Sequence, residues 1–241
     1  MTDYTKVIYE VFEQNGLSDC LNSTSAGFLN KLIDRMLDVN EKMNLTAITD
    51  GEDIILKHIA DSATIVKYVP KNARVLDVGT GAGFPALPLA ILRPDVNVYA
   101  LDSTLKKLKY IDETANMFSL TNIKTVNGRA EELGKSVNYR ERFDVVTARA
   151  VSALNVLNEL CIPFVKVGGI FLSMKGSSAP EELALAKSGA IQLGGTPFED
   201  IFLSLKYSNK EIQRHLLISK KSKPTPPSFP RQYSRISKKP L

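Results

Sequence analysis

VLDVGTGAGFPALPLA, residues 75–90, runs a short apolar strand into three glycines at alternate positions, then into an apolar helix opened by Phe84 and Pro85. A strand that breaks at a glycine turn and re-enters as a helix is the first half of a β-α-β unit. The alternation continues downstream. VNVYALD, IKTVNG, RFDVVTARA and GGIFLSMKG read as further strands, and FPALPLAILRP, TLKKLKYIDETANMFSL, RAEELGKS and SALNVLNELCIPFVK as the helical connections between them. Short apolar runs in this order imply one open parallel sheet with right-handed crossovers and helices on both faces. After a helix at 180–193, FEDIFLSL and EIQRHLLISK flank the turn-like KYSNK and predict a closing antiparallel hairpin.

Residues 3–15 and 24–43 carry apolar side chains at helical spacing. NLTAIT at 44–49 reads as an extended link, and Asp50, Glu52 and Asp53 then open a helix through 69 that Pro70 stops. The expected organisation is a helical cap over 1–70, an α/β domain over 71–220 and a basic, Pro-rich tail over 221–241 that packs on the domain or extends from it. The five prolines after position 223 argue against regular structure in that tail.

The 241 residues are 44% hydrophobic, enough for one such domain, and no run of about 18 apolar residues exists to span a membrane. Cys20 and Cys161 are too far apart in sequence to suggest a metal motif, and two thiols make no disulfide framework. A cytoplasmic protein without membrane attachment, and a monomer, is expected. The net charge of +5 is uneven: seven Lys or Arg and no acid follow Ile218, leaving 24 bases against 26 acids before it. Such a tail either solubilises the chain or binds nucleic acid with salt-dependent affinity.

In an open parallel sheet, ligands bind beyond the carboxyl ends of the strands, where the first strand-to-helix turn lies. The dinucleotide fingerprint places its third glycine at the sixth position of the turn, but counting from Gly79 that position is Phe84. No Lys-Ser or Lys-Thr pair follows as a phosphate loop requires. Asp77 and the turn at Gly79 and Gly81 suit instead a ligand with a cationic amine and no phosphate. Asp102, ending the second strand, suits both hydroxyls of its ribose. S-adenosyl-L-methionine has these groups. Asp77 either touches it or ties the turn's backbone, and Phe84 is either a wall of the pocket or core.

DVGTGAGFPALPLA, KHIADSA, LDSTLKK, NGRAEEL, DVVTARAVSAL, MKG and FPRQYSRISKKPL together resemble the RsmG (GidB) family, the bacterial small-subunit ribosomal RNA guanine-N7 methyltransferases. The resemblance covers nearly the whole chain. It implies a Rossmann-like class I S-adenosylmethionine-dependent methyltransferase sheet, with 16S ribosomal RNA or the small ribosomal subunit as partner. It also implies cofactor contacts at Gly79, Phe84, Asp102, Ser103, Thr104, Ala130, Glu131 and Arg149.

Guanine N7 has a free lone pair and no proton, so its methylation needs positioning rather than a general base. Cys161 reads as core rather than as a nucleophile, and TARAVS replaces the Asn/Asp-Pro-Pro-aromatic loop used on exocyclic amines. Arg149, Lys175 and Arg129 are the candidates for holding guanine and phosphates, Lys175 and Arg129 alternatively being solvated rim charges. His58 and Asp61, one helical turn apart, could form an acid-base pair or half a metal site; with no base needed, packing at the cofactor mouth is the preferred role and no metal is expected. Deleting the tail is expected to weaken RNA binding and to leave cofactor binding intact. The alternatives are a methyltransferase of protein or small molecules and a non-catalytic RNA-binding protein; an oxidoreductase fits the turn least.

Overall fold

The computed structural model describes residues 2–43, 45–186 and 188–241. Seven strands form one sheet in the order β3-β2-β1-β4-β5-β7-β6. β1 (Arg74–Val78), β2 (Asn97–Asp102), β3 (Ile123–Asn127), β4 (Phe143–Arg149) and β5 (Val165–Lys175) are parallel, and the hairpin β6 (Glu199–Tyr207) and β7 (Lys210–Lys220) joins antiparallel to β5. The order reverses between β1 and β4, so their carboxyl ends open a crevice. This is the mixed α/β sheet with a closing hairpin that the sequence predicts.

The N-terminal helices α1 (Thr5–Gln14) and α2 (Ser23–Met43) follow the apolar periodicity, but the next helix does not stay regular. Asp50 caps α3 (Gly51–Ile54) by accepting from the Asp53 N–H at 2.9 Å; a π-helical segment Ile55–Ala60 and α4 (Asp61–Ala63) follow, and a 3-10 turn at Val66–Tyr68 ends the run. The expected link begins on Asn44, outside the described residues, and 45–50 form no strand.

α5 (Ala86–Leu92) and α6 (Leu105–Met117) cover one face of the sheet together with the N-terminal helices, which share a single apolar cluster with it. α7 (Ala130–Leu133), α8 (Leu154–Cys161), α9 (Ala179–Ala186) and α10 (Gly189–Gln192) cover the other, where Ile236 of α11 (Tyr233–Lys238) is fully buried. Three expectations shift. Val165 and Lys166 begin β5 instead of ending a helix, because Pro163 closes the helical run in a 3-10 turn. The hairpin turn tightens to Ser208 and Asn209, with Ser208 at φ +53°. The third concerns the tail.

Residues 221–241 are a packed strap that ends in a short helix. Arg140 donates to the carbonyls of Thr225 (2.7 Å), Pro226 (3.1 Å) and Phe229 (2.7 Å), satisfying backbone groups that prolines leave outside any ladder. Arg231 forks onto Glu159 of α8, a residue with no exposed surface, at 2.6 Å and 2.9 Å. Lys221, 1% exposed, donates to the Ile162 carbonyl at 2.9 Å and pairs with Glu141 at 3.3 Å; burial pulls its ammonium down to about 8. Among the described residues, no helix is long and apolar enough to cross a membrane.

Candidate active site

The turn after β1 is held by two N–H bonds, from Gly79 and Thr80, to the Leu101 carbonyl of β2 at 2.8 and 3.0 Å. Gly79, Gly81 and Gly83 all have left-handed φ, +70°, +60° and +85°. A Cβ on Gly83 would stand 2.6 Å from Leu87 Cδ1, so this fifth-position glycine gives the helix its close approach and leaves the sixth position free for Phe84. A Cβ on Gly81 would meet nothing nearer than the Gly79 carbonyl at 3.9 Å, since it would project into open cleft.

That cleft has a volume of about 510 Å³, within the range of small-molecule sites. Gly79, Gly81 and Phe84 line it from the turn, Asp102, Ser103 and Thr104 from the end of β2, Arg129, Ala130 and Glu131 from beyond β3, and Arg149 from β4. Asp102 accepts from the Gly81 N–H at 3.1 Å and the Thr104 N–H at 2.8 Å, which fixes its carboxylate while each oxygen keeps a lone pair for a ligand hydroxyl. Open space above Gly81, a fixed carboxylate and backbone carbonyls at the turn are a set of acceptors that fits the hydroxyls of a ribose and the N–H groups of an amine. Asp77 is set apart. It lies under the turn, 1% exposed, and accepts from Thr147 Oγ1 at 3.0 Å; burial pushes its carboxyl up to about 6 against the nearby hydroxyls and Arg149. Of the two roles open to Asp77, this burial favours the structural one.

A second hollow, about 680 Å³, adjoins the cleft and shares His58 and residues 149–152 with it. Arg149 stands between the two. Its guanidinium lies 5.4 Å from the Phe84 ring centroid and donates to the Lys57 carbonyl (3.0 Å), Asp61 (3.1 Å) and His58 Nδ1 (3.2 Å). His58 Nδ1 also lies 3.1 Å from the Lys57 carbonyl, and Nε2 lies 3.0 Å from Thr46 Oγ1, so the ring accepts from Arg149 in one tautomer and donates to the carbonyl in the other. Burial first, then the Arg149 charge, pulls the imidazole down to about 4, so it is neutral. Its ring stacks 4.9 Å from that of Phe84, which is therefore both a cleft wall and part of the core cluster.

The three expected cations do not meet. Arg129 lines only the first cleft and Lys175 only the second. Lys175 is 8% exposed and donates to Glu182 and the Ser152 carbonyl, both at 2.6 Å, so the rim-charge alternative does not describe it. Cys161 is fully buried away from both hollows, and burial raises its thiol well above the usual range. Sequence reasoning missed Arg214 of β7, which lines the second hollow and donates to Asp61 at 3.0 Å. Strand alternation carried the signal, because Arg214 shares its face with the core-packed Ile212 and Leu216, and a charge there needs a partner. Tyr233 was missed as well. It brings the strap into the lining of the first cleft.

Comparison with known proteins agrees with this geometry. Ribosomal RNA small subunit methyltransferase G of Alkaliphilus oremlandii is 42% identical over 228 residues, 94% of this chain and 95% of that protein. The protein of the same description from Clostridium kluyveri is 40% identical over 241 residues, 99% of each chain. Among solved structures, a SAM-dependent O-methyltransferase from Thermotoga maritima superposes with a TM-score of 0.54 at 14% identity, covering 79% of this chain and 72% of that one. TYW2 of M. jannaschii, solved in complex with AdoMet, gives 0.52 at 17%, covering 68% of this chain and 76% of that one. These two share the fold. The family described as rRNA small subunit methyltransferase G (GidB) matches residues 26–216, and with relatives of this identity across nearly its whole length, the chain belongs to that family.

Proposed function

We propose that the protein transfers the methyl of S-adenosyl-L-methionine to N7 of a guanosine in 16S ribosomal RNA. The observation that carries the proposal is the pair of joined hollows. One has a fixed carboxylate and an open glycine turn; the other is lined by Arg149, Arg214, Lys57 and Lys175, and Arg149 lies between them. When bound, the cofactor supplies an electrophilic methyl on a sulfonium centre.

Asp102 receives the ribose hydroxyls, the Gly79–Gly81 turn lets the ligand approach the backbone, and Phe84 keeps water from one wall. Arg149 orients the purine edge or an adjoining phosphate. His58, held neutral by burial and by the Arg149 contact, takes no proton, in keeping with an acceptor nitrogen that has none to lose. The basic outer face of the strap adds attraction for RNA. The free thiols of Cys20 and Cys161 suit the cytoplasm.

The test is to incubate the protein with methyl-labelled cofactor and either small subunits or bare 16S RNA from cells lacking the activity, then identify the labelled nucleoside. Label at guanine N7 is expected, with the transfer rate of folded Arg149→Ala lower by about 10- to 100-fold. Label on protein, on an exocyclic amine or on carbon overturns the reading, and a wild-type rate in Arg149→Ala removes that residue from it.

A further inference from the structure

The strap reaches the cofactor cleft at a single side chain. Tyr233, 46% exposed, lines the cleft with Ala130 and Glu131, which follow β3 and so lie beyond the ribose-side Asp102 from the glycine turn in the strand order. Its place is over-determined on both sides. Arg231, two residues earlier, is forked onto fully buried Glu159 and also donates to the Lys239 carbonyl at 3.0 Å. Three residues later, Ile236 is sealed into the apolar cluster beside α8. Gly134, just beyond α7, could not carry a Cβ without coming within 3.1 Å of Pro230, so the strap also packs closely on the helix that presents Ala130 and Glu131.

We propose that Tyr233 closes the adenine end of the cofactor site, with Arg231 and Glu159 as the residues that position it. The inference rests on the reading that this cleft takes S-adenosylmethionine. The ring offers an aromatic face to a flat heterocycle, an interaction that tolerates loss of the hydroxyl but not of the ring. Arg235, Lys238 and Lys239 point their charges outward from the same short segment, so the strap presents the ring inward and cations outward.

Binding of S-adenosylmethionine and of S-adenosylhomocysteine, which share the adenosine but not the methyl, is measured by calorimetry on the full-length protein. Tyr233→Ala is expected to weaken both by about tenfold, the order of one aromatic-base stack, while the ligand-free melting temperature stays put. Tyr233→Phe is expected to bind within about twofold of wild type, and cofactor KM should rise in Tyr233→Ala with kcat unchanged. Unaltered affinity in Tyr233→Ala, or a loss confined to RNA binding, overturns the proposal and leaves the cofactor reading intact. Absence of cofactor binding by the wild type overturns both.

Discussion

Residues 5–68 press Ile8, Val11, Phe12, Leu29 and Leu32, all without exposed surface, into the same apolar cluster as β1 and α5. Residues 221–241 are fastened mainly by charge: Arg231 on Glu159, Lys221 on Glu141, and Arg140 on three strap carbonyls. The two regions reach the cleft from opposite sides, one through His58 and Thr46, the other through Tyr233. Apolar attachment is graded, since each lost methylene costs a little. A buried ion pair is close to neutral when whole and costly when halved, so the strap should detach far more sharply than the helices.

The largest effect expected is from Phe12→Ala, which empties an aromatic site in a core that cannot collapse fully: about 4 kcal/mol, read as a lower urea midpoint for the whole chain. Arg231→Ala should cost about 3 kcal/mol by leaving Glu159 buried and unpaired, with early proteolysis of the strap. The contrast is sharpened by the double change Glu159→Met, Arg231→Met. It should return to within about 1 kcal/mol of wild type. Additive losses in that double variant would break the contrast.

A smaller effect compares two groups near Arg149. Asp77, raised to about 6, contributes stability that is whole below about 3.8 and lost as pH rises through 6. His58, depressed to about 4, contributes stability that is whole above 6.5 and lost as pH falls through 4. The two trends oppose each other between pH 4 and 6.5 in the wild type. Relative to wild type, Asp77→Asn should gain with rising pH and His58→Gln with falling pH, each by on the order of 2 kcal/mol across that window in urea titrations. Flat differences would show that neither group titrates in that window.

The smallest effect belongs to the strap's outer face. Arg235→Gln with Lys238→Gln should flatten the slope of log RNA affinity against log salt by about 1 to 2, leaving cofactor affinity unchanged. An unchanged slope would make the strap a fastener and a cleft wall only.

The same contrast governs what was legible in the sequence. Amphipathic spacing announced α1 and α2 because their attachment is apolar and periodic, and the alternation of strands and helices announced the sheet. The glycine turn was legible because left-handed φ at Gly79, Gly81 and Gly83 restricts the residue type there, and Asp102 stands beside it, accepting from the Gly81 N–H. The strap was not legible, for its partners Arg140, Glu141 and Glu159 lie 72 or more residues away and nothing local marks the pairing. The prolines were read as barring regular structure, yet 233–238 form a helix and Arg140 satisfies strap carbonyls that join no ladder. Lys175 looked like a free cation for a related reason, its partner Glu182 lying on the next helix.

The π-helical segment Ile55–Ala60 bears on attempts to redesign this chain. A π turn accommodates an extra residue, and here the turn contains Lys57 and His58, whose carbonyl and Nδ1 both receive Arg149. Regularising it into an ideal α-helix, as an optimiser of helix propensity would favour, rotates everything before or after it by about a third of a turn. His58 and Asp61 would then no longer face Arg149 together. The irregularity is a tolerance on the part, and a stabilised variant should be built around it.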